Sequence, residues 1–263
     1  MRSAVSKLIA SAFVGTLAIS GAAYADDADD TWAMRALAGY ASTSGITDTS
    51  AANGLFHVAH TVEDWKFLFG ASALYGSTQG ETTAQDFNLY FQANYNISDR
   101  LYWFGLVNYD DNKFSGFAYQ EMIGTGVGYQ FIKDDATKLT GQVGIGEARL
   151  RPELLTEDDA GGITSTTELD SSSYVVAIAQ VNFEHSFNSI TKLIAGVAVQ
   201  SGSDNTMTTG TVGLQVKMSD RLSFAAAYQT VRNSKPPAGI AASAGLTTLN
   251  LVYELKNPKL APQ

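Results

Sequence analysis

Between Gln85 and Ile97 the chain alternates strictly. Phe87, Leu89, Phe91, Ala93, Tyr95 and Ile97 fall on one side of an extended strand, and Asp86, Asn88, Gln92, Asn94 and Asn96 on the other. A period of two held this long is a strand signature; an amphipathic helix needs 3.6. The pattern recurs. In Trp65–Ser77, Trp65, Phe67, Phe69, Ala71, Ala73 and Tyr75 oppose Lys66, Gly70, Ser72 and Gly76. In Tyr119–Phe131, Ile123, Val127, Tyr129 and Phe131 oppose Gln120, Gly124, Gly126, Gly128 and Gln130. In Val212–Met218, Val212, Leu214, Val216 and Met218 oppose Gly213, Gln215 and Lys217. A soluble sandwich strand has about five or six residues, and a tilted strand crossing a bilayer about nine to eleven. Alternation alone leaves two barrels open, a soluble one with its apolar face inward and a membrane one with that face toward lipid. Strand length, repetition and 24 glycines favour the second.

The expected fold is therefore all-β: a closed antiparallel transmembrane β-barrel of about 12 strands, from Trp32–Ser44 to Leu246–Leu255, preceded by a cleavable signal peptide. Connections alternate in length. Short ones fall at Glu63-Asp64, Ser98–Arg100, Lys133–Thr137, Asn188-Ser189 and Ser219–Arg221. Longer ones fall at Gln79–Ala84, Asp111–Phe117, Arg151–Ser171, Ser201–Met207 and Arg232–Gly245, with Gly45–Asp48 on the same side. Short turns on one rim and long loops on the other is the layout of an outer-membrane barrel, with both chain ends on the periplasmic rim. The turns Ile97–Leu101 and Met218–Leu222 share the form Ser-Asp-Arg, a common hairpin solution. Trp65, Tyr102, Trp103, Phe104, Tyr129, Phe131 and Tyr253 fall near the short turns, and Tyr40, Tyr75, Tyr109, Phe114 and Phe117 near the long loops. Two aromatic girdles at the water–lipid boundaries account for this.

At the N-terminus, Arg2 and Lys7 precede an apolar stretch, Leu8–Ala22, and the cleavage motif Ala23-Tyr24-Ala25. This is the layout of a secretory signal peptide. The expected division is residues 1–25 signal peptide, 26–255 barrel and 256–263 a periplasmic tail. The chain has no cysteine, which excludes disulfides, a thiolate zinc site and a cysteine nucleophile. A net charge of −9 disfavours nucleic acid as a partner. A mean hydropathy of −0.03, with no long apolar run beyond the N-terminus, disfavours a helical membrane protein.

Several stretches resemble a known family. Gly39-Tyr40 with Ser42–Gly45, Tyr109–Gly116, the glycine-rich Gly124, Gly126, Gly128 and Tyr129, then Pro236-Pro237 and Leu251–Tyr253 resemble successive stretches of the bacterial salt-induced outer-membrane proteins, a family of unknown function. The resemblance spans almost the whole mature chain and implies an outer-membrane β-barrel without naming a substrate. Two features depart from it. Lys256–Gln263 extends past the last strand, and Glu121 stands where relatives often carry arginine.

Charges read as lining the lumen are Arg35, His57, Lys66, Glu121, Glu147, Arg149 and Lys217. Glu121 and the Glu147/Arg149 pair fall on neighbouring strands, as an ion-pair network or as a constriction that sorts solutes by charge. The acidic excess mildly favours cations. His57 and His60 lie three apart on one strand and face opposite sides, so they make no common metal site. No serine-hydrolase, zinc-protease or phosphate-loop motif is present. Asp26–Asp30 and Glu157–Asp159 read as solvated acidic segments. The expectation is a Gram-negative outer-membrane protein, a small channel or envelope-structural barrel with a polar lumen. It is not an enzyme and needs no cofactor or metal. Its partners are outer-membrane lipid and lipopolysaccharide, the barrel-insertion machinery and small solutes. The alternatives are a soluble periplasmic barrel holding an apolar ligand and an outer-membrane lipid-modifying enzyme.

Overall fold

The computed structural model describes residues 30–43, 49–113, 115, 117–157, 163–236 and 241–257. The expected signal segment, Phe114 and residues 258–263 of the expected tail lie outside these. The strands are β1 Asp30–Thr43, β2 Thr49–Val62, β3 Trp65–Thr78, β4 Glu81–Asn96, β5 Leu101–Asn112, β6 Phe117–Lys133, β7 Thr137–Glu157, β8 Ile163–Glu168, β9 Ser172–Ser186, β10 Thr191–Gly202, β11 Thr206–Lys217, β12 Leu222–Asn233 and β13 Ser243–Asn257. Each pairs antiparallel with its neighbour in sequence, except that β9 joins β7 rather than β8. β13 returns to β1, from Trp32↔Asn257 to Ala38↔Leu251, and closes the ring. Twelve strands form the barrel; β8 stands outside it, paired only to the far part of β7.

The alternation seen in the sequence becomes two faces. Along β5 the even positions Tyr102 to Asn112 are buried, while Trp103 and Val107 are exposed. Ile123, Val143, Ile145 and Val175 are each about 60% exposed on the outer face. A belt of this kind is paid for only where the surroundings are not water. At the end where the short turns lie, Trp65 packs against Tyr95 at 5.1 Å and Trp103 at 6.3 Å, an aromatic ring of the girdle type. Tyr102 and Phe104 do not join it; they point inward, as does Phe117 near the other end.

Both repeated Ser-Asp-Arg turns close in one way. The Ser98 hydroxyl accepts the Leu101 amide at 3.1 Å, and the Ser219 hydroxyl accepts the Leu222 amide at 3.2 Å. Two connections differ from expectation. The loop expected over Gln79–Ala84 is a tight turn: Gln79 and Gly80 both take positive φ (53° and 85°), the geometry that matches strand twist in a two-residue hairpin. β4 thus starts at Glu81, and a register shift between Gly76 and Ser77 absorbs an extra residue. Within Arg151–Ser171, β7 runs on to Glu157 and pairs with β8, so this segment is largely a hairpin projecting from the loop end.

Candidate functional site

The site is the barrel interior, which is layered along its axis. At the turn end it is polar. Gln92 donates to Asn94 at 2.6 Å, Gln142 to the Tyr102 hydroxyl at 3.0 Å and Gln180 to Asn182 at 3.1 Å. The Tyr90 hydroxyl donates to Gln92. Lys66, Lys133 and Lys138 line the same recess, and Lys192 approaches Glu184 at 3.8 Å. At the loop end lies a second polar cluster. Asn112 donates to Asp86 at 2.8 Å, and Asn88 to Asn108 at 3.3 Å and Asp110 at 3.4 Å, all of them buried. Outside it, on the turn after β5, Lys113 bonds Asp111, which holds the ammonium pKa above its ordinary value. Among the described residues, lysines outnumber the one buried carboxyl, Glu184, at the turn end, and Asp86 and Asp110 are buried at the loop end, so the interior has an axial charge asymmetry.

Between the polar layers sits an apolar cluster. Leu68, Tyr90, Tyr102, Phe104, Leu106, Met122, Val176 and Ile178 pack together, and Phe104 has no exposed surface. Its large rings fit because the facing wall lacks side chains. A Cβ on Gly126 or Gly144 would lie 2.8 or 3.0 Å from the Phe104 ring, and one on Gly128 would overlap Tyr102. The polar lumen expected from sequence is thus interrupted. The glycines of β6 and β7 do not widen a bore; they make room for rings from β5. In sequence Tyr102 and Phe104 read as girdle residues, because Tyr102–Val107 has no strongly polar residue to mark the inner face. The signal that would have found them is size complementarity: inward rings on one strand opposite glycines on the next.

The other side of the interior is looser. A cavity of about 140 Å³ is bounded by β1, β2, β3 and β10 to β13. Its floor is Arg35, whose guanidinium donates to Gln215 at 3.0 Å and lies 3.7 Å from Glu254. Above it, Asn53 of β2 donates to Asn250 of β13 at 2.8 Å. The bond passes over β1 at Gly39, where any Cβ would collide with both asparagines.

The candidate lumen residues divide. Arg35, His57 and Lys66 point inward, His57 with its ring laid over Gly70. Lys217 shares the inward parity of Gln215 but sits exposed at the turn-end mouth, 3.3 Å from Asp220. Glu121, Glu147 and Arg149 are placed on the outer face, with the parity of Ile123 and Ile145, and form no lumenal network. Glu121 and Arg149 are opposite in register near the loop end, outside the apolar belt, where an outward charge reaches water, and the Arg149 guanidinium donates to the Ser171 hydroxyl at 3.4 Å. His57 and His60 diverge, His60 stacking on Trp32 at 4.0 Å.

These features define a closed antiparallel barrel with an apolar exterior and a largely filled interior. The chain belongs to the family described as a protein of unknown function, DUF481, which matches residues 36–255. No curated protein matches the sequence. Similar solved structures include the translocator domain of autotransporter NalP from Neisseria meningitidis, with 12% identity over 85% of this chain and 87% of that one and a TM-score of 0.48. The NanC porin is 11% identical over 84% and 97%, with a TM-score of 0.46. The beta domain of the Bordetella autotransporter BrkA is 10% identical over 86% and 98%, with a TM-score of 0.43. Likeness at this level carries no functional argument.

Proposed function

We propose that this protein is a β-barrel of the Gram-negative outer membrane whose lumen is occluded at rest, an envelope-structural protein or closed small channel rather than an open pore. The observation that carries the reading is the pairing of an apolar outer belt with the Phe104-centred interior packing. A soluble barrel holding an apolar ligand would turn this chemistry the other way round. The reading assigns the protein no catalysis and no cofactor. Its partners are membrane lipid and lipopolysaccharide outside and the insertion machinery during assembly. For any solute that passes, Asp86 and Asp110 at the loop end favour cations, and Lys66, Lys138 and Lys192 at the turn end oppose them.

The test uses the cysteine-free chain. Single cysteines are placed along β4 in protein reconstituted in bilayers and exposed to a water-soluble maleimide. Phe87→Cys and Phe91→Cys are expected to stay unlabelled in the bilayer and to label once the protein is extracted and unfolded in urea. Ready aqueous labelling of both in the folded state refutes the membrane orientation. In planar bilayers the native protein is expected to show no stable large steps; porin-sized conductance refutes the occlusion.

A further inference from the structure

We propose that the barrel receives the end of a membrane lipid's alkyl chain through an unzipped stretch of the β1–β13 seam. This rests on the outer-membrane reading above. β1 stays paired to β2 up to Thr43↔Thr49, and β13 to β12 up to Arg232↔Ser243. Yet the ladder between β1 and β13 stops at Ala38↔Leu251. Among the described residues, Gly39–Thr43 and Ser243–Asn250 are therefore each paired on one side only, although continued register would set Thr43 opposite Leu246. An unpaired strand edge at membrane depth is tolerated only where it is buried in protein or lines a cavity that water reaches. This one borders a cavity. Leu246, Thr248 and Asn250, from the released part of β13, line the 140 Å³ space together with Leu37 and Leu55.

Three further observations say what enters and how far. On the outer face beside the gap, Leu249 and Leu251 are 59% and 49% exposed, so the gap opens among apolar side chains, where acyl chains lie. Most of the exposed cavity surface comes from Leu37, Leu55, Leu74, Ile194 and Leu246, with polar groups such as Thr211, Gln229 and Thr248 interspersed, and Ala225 and Ala227 leave the space that larger residues would take. The Arg35–Gln215 bridge closes the bottom, so a chain arriving from the side stops there. A dry apolar cavity of about 150 Å³ admits benzene, so this one admits about the last five or six carbons of an alkyl chain. The Asn53–Asn250 bond marks the lower limit of the opening, pinning β2 to β13 where the ladder ends.

The test is photolabelling. Full-length protein is reconstituted in phosphatidylcholine vesicles containing about one per cent of a phosphatidylcholine with a diazirine at the tip of one chain, then irradiated, digested and mapped. A two-chain lipid held in the bilayer does not travel down an aqueous lumen, so interior labelling reports the seam. Label is expected on Leu37, Leu55 and Leu246 as well as on the outer residues Phe91 and Leu251. Ala225→Trp and, as a second variant, Ala227→Trp fill the cavity and should lower the ratio of interior to outer label at least fivefold. Outer label without interior label overturns the proposal, as does an interior ratio unchanged in both folded variants. Absence of label from Phe91 and Leu251 overturns the membrane reading itself.

Discussion

Phe104 faces the inside of a barrel and is nonetheless wholly covered, because Gly126 and Gly144 leave a floor for its ring. Each half of this fit makes a prediction. Phe104→Ala should cost about 3–5 kcal/mol, the range for deleting a buried aromatic ring, read as a lower urea midpoint of the gel-shift between folded and unfolded barrel. The same variant should show conductance steps in planar bilayers that the native protein lacks. Gly126→Val attacks from the other side. Its Cβ would meet the Val143 carbonyl oxygen, a backbone atom that does not swing away, so overpacking of about 1–3 kcal/mol is expected on the same urea scale, with no gain in conductance. At the seam, Asn250→Ala should cost about 1–2 kcal/mol by leaving the Asn53 amide without its acceptor.

Strands are legible where one face is an exposed apolar belt and the other a polar interior, since that contrast writes the period of two into the sequence. Gln85–Ile97 and the Trp65 strand are of this kind, and the structure starts the latter at the same residue. Outside the apolar belt the contrast vanishes. Glu81–Ala84 is polar on both faces and reads as loop, yet extends β4 by continuing its ladder with β3. The β7–β8 hairpin was hidden for the same reason: Glu153, Arg151 and Glu168 are charged, and the last two form an ion pair at 2.9 Å. Facing was lost wherever both neighbours were alike, as with Trp103 between Tyr102 and Phe104. Because the hairpin shares no ladder with the barrel beyond β7, deleting residues 153–168 and bridging with a short glycine-serine link should leave the unfolding free energy from urea titration within about 0.5 kcal/mol of native. A large loss would show that the projecting hairpin supports the wall.

The whole molecule is held by a wall whose two faces have exchanged the usual roles of a soluble protein. On the outer-membrane reading proposed above, a charge on the outer face should therefore be costly in proportion to depth. Val143→Arg, at mid-strand on the outer face, should lose about 2–4 kcal/mol in vesicles, while Glu147→Arg, nearer the loop end of the same strand, should lose about 0–1 kcal/mol. Equal losses would mean that no hydrocarbon layer surrounds this wall. The ring also has a consequence for how the chain assembles. Every ladder but one joins strands that are close in the chain, so a loop of modest length is closed each time a strand is added. The exception joins Trp32 to Asn257 and is cut short at Ala38. Eleven pairings can thus accumulate as a growing curved ribbon, and the step that makes it a cylinder must wait for the last strand to be delivered and then brings together the two most distant parts of the chain along the shortest length of the seam.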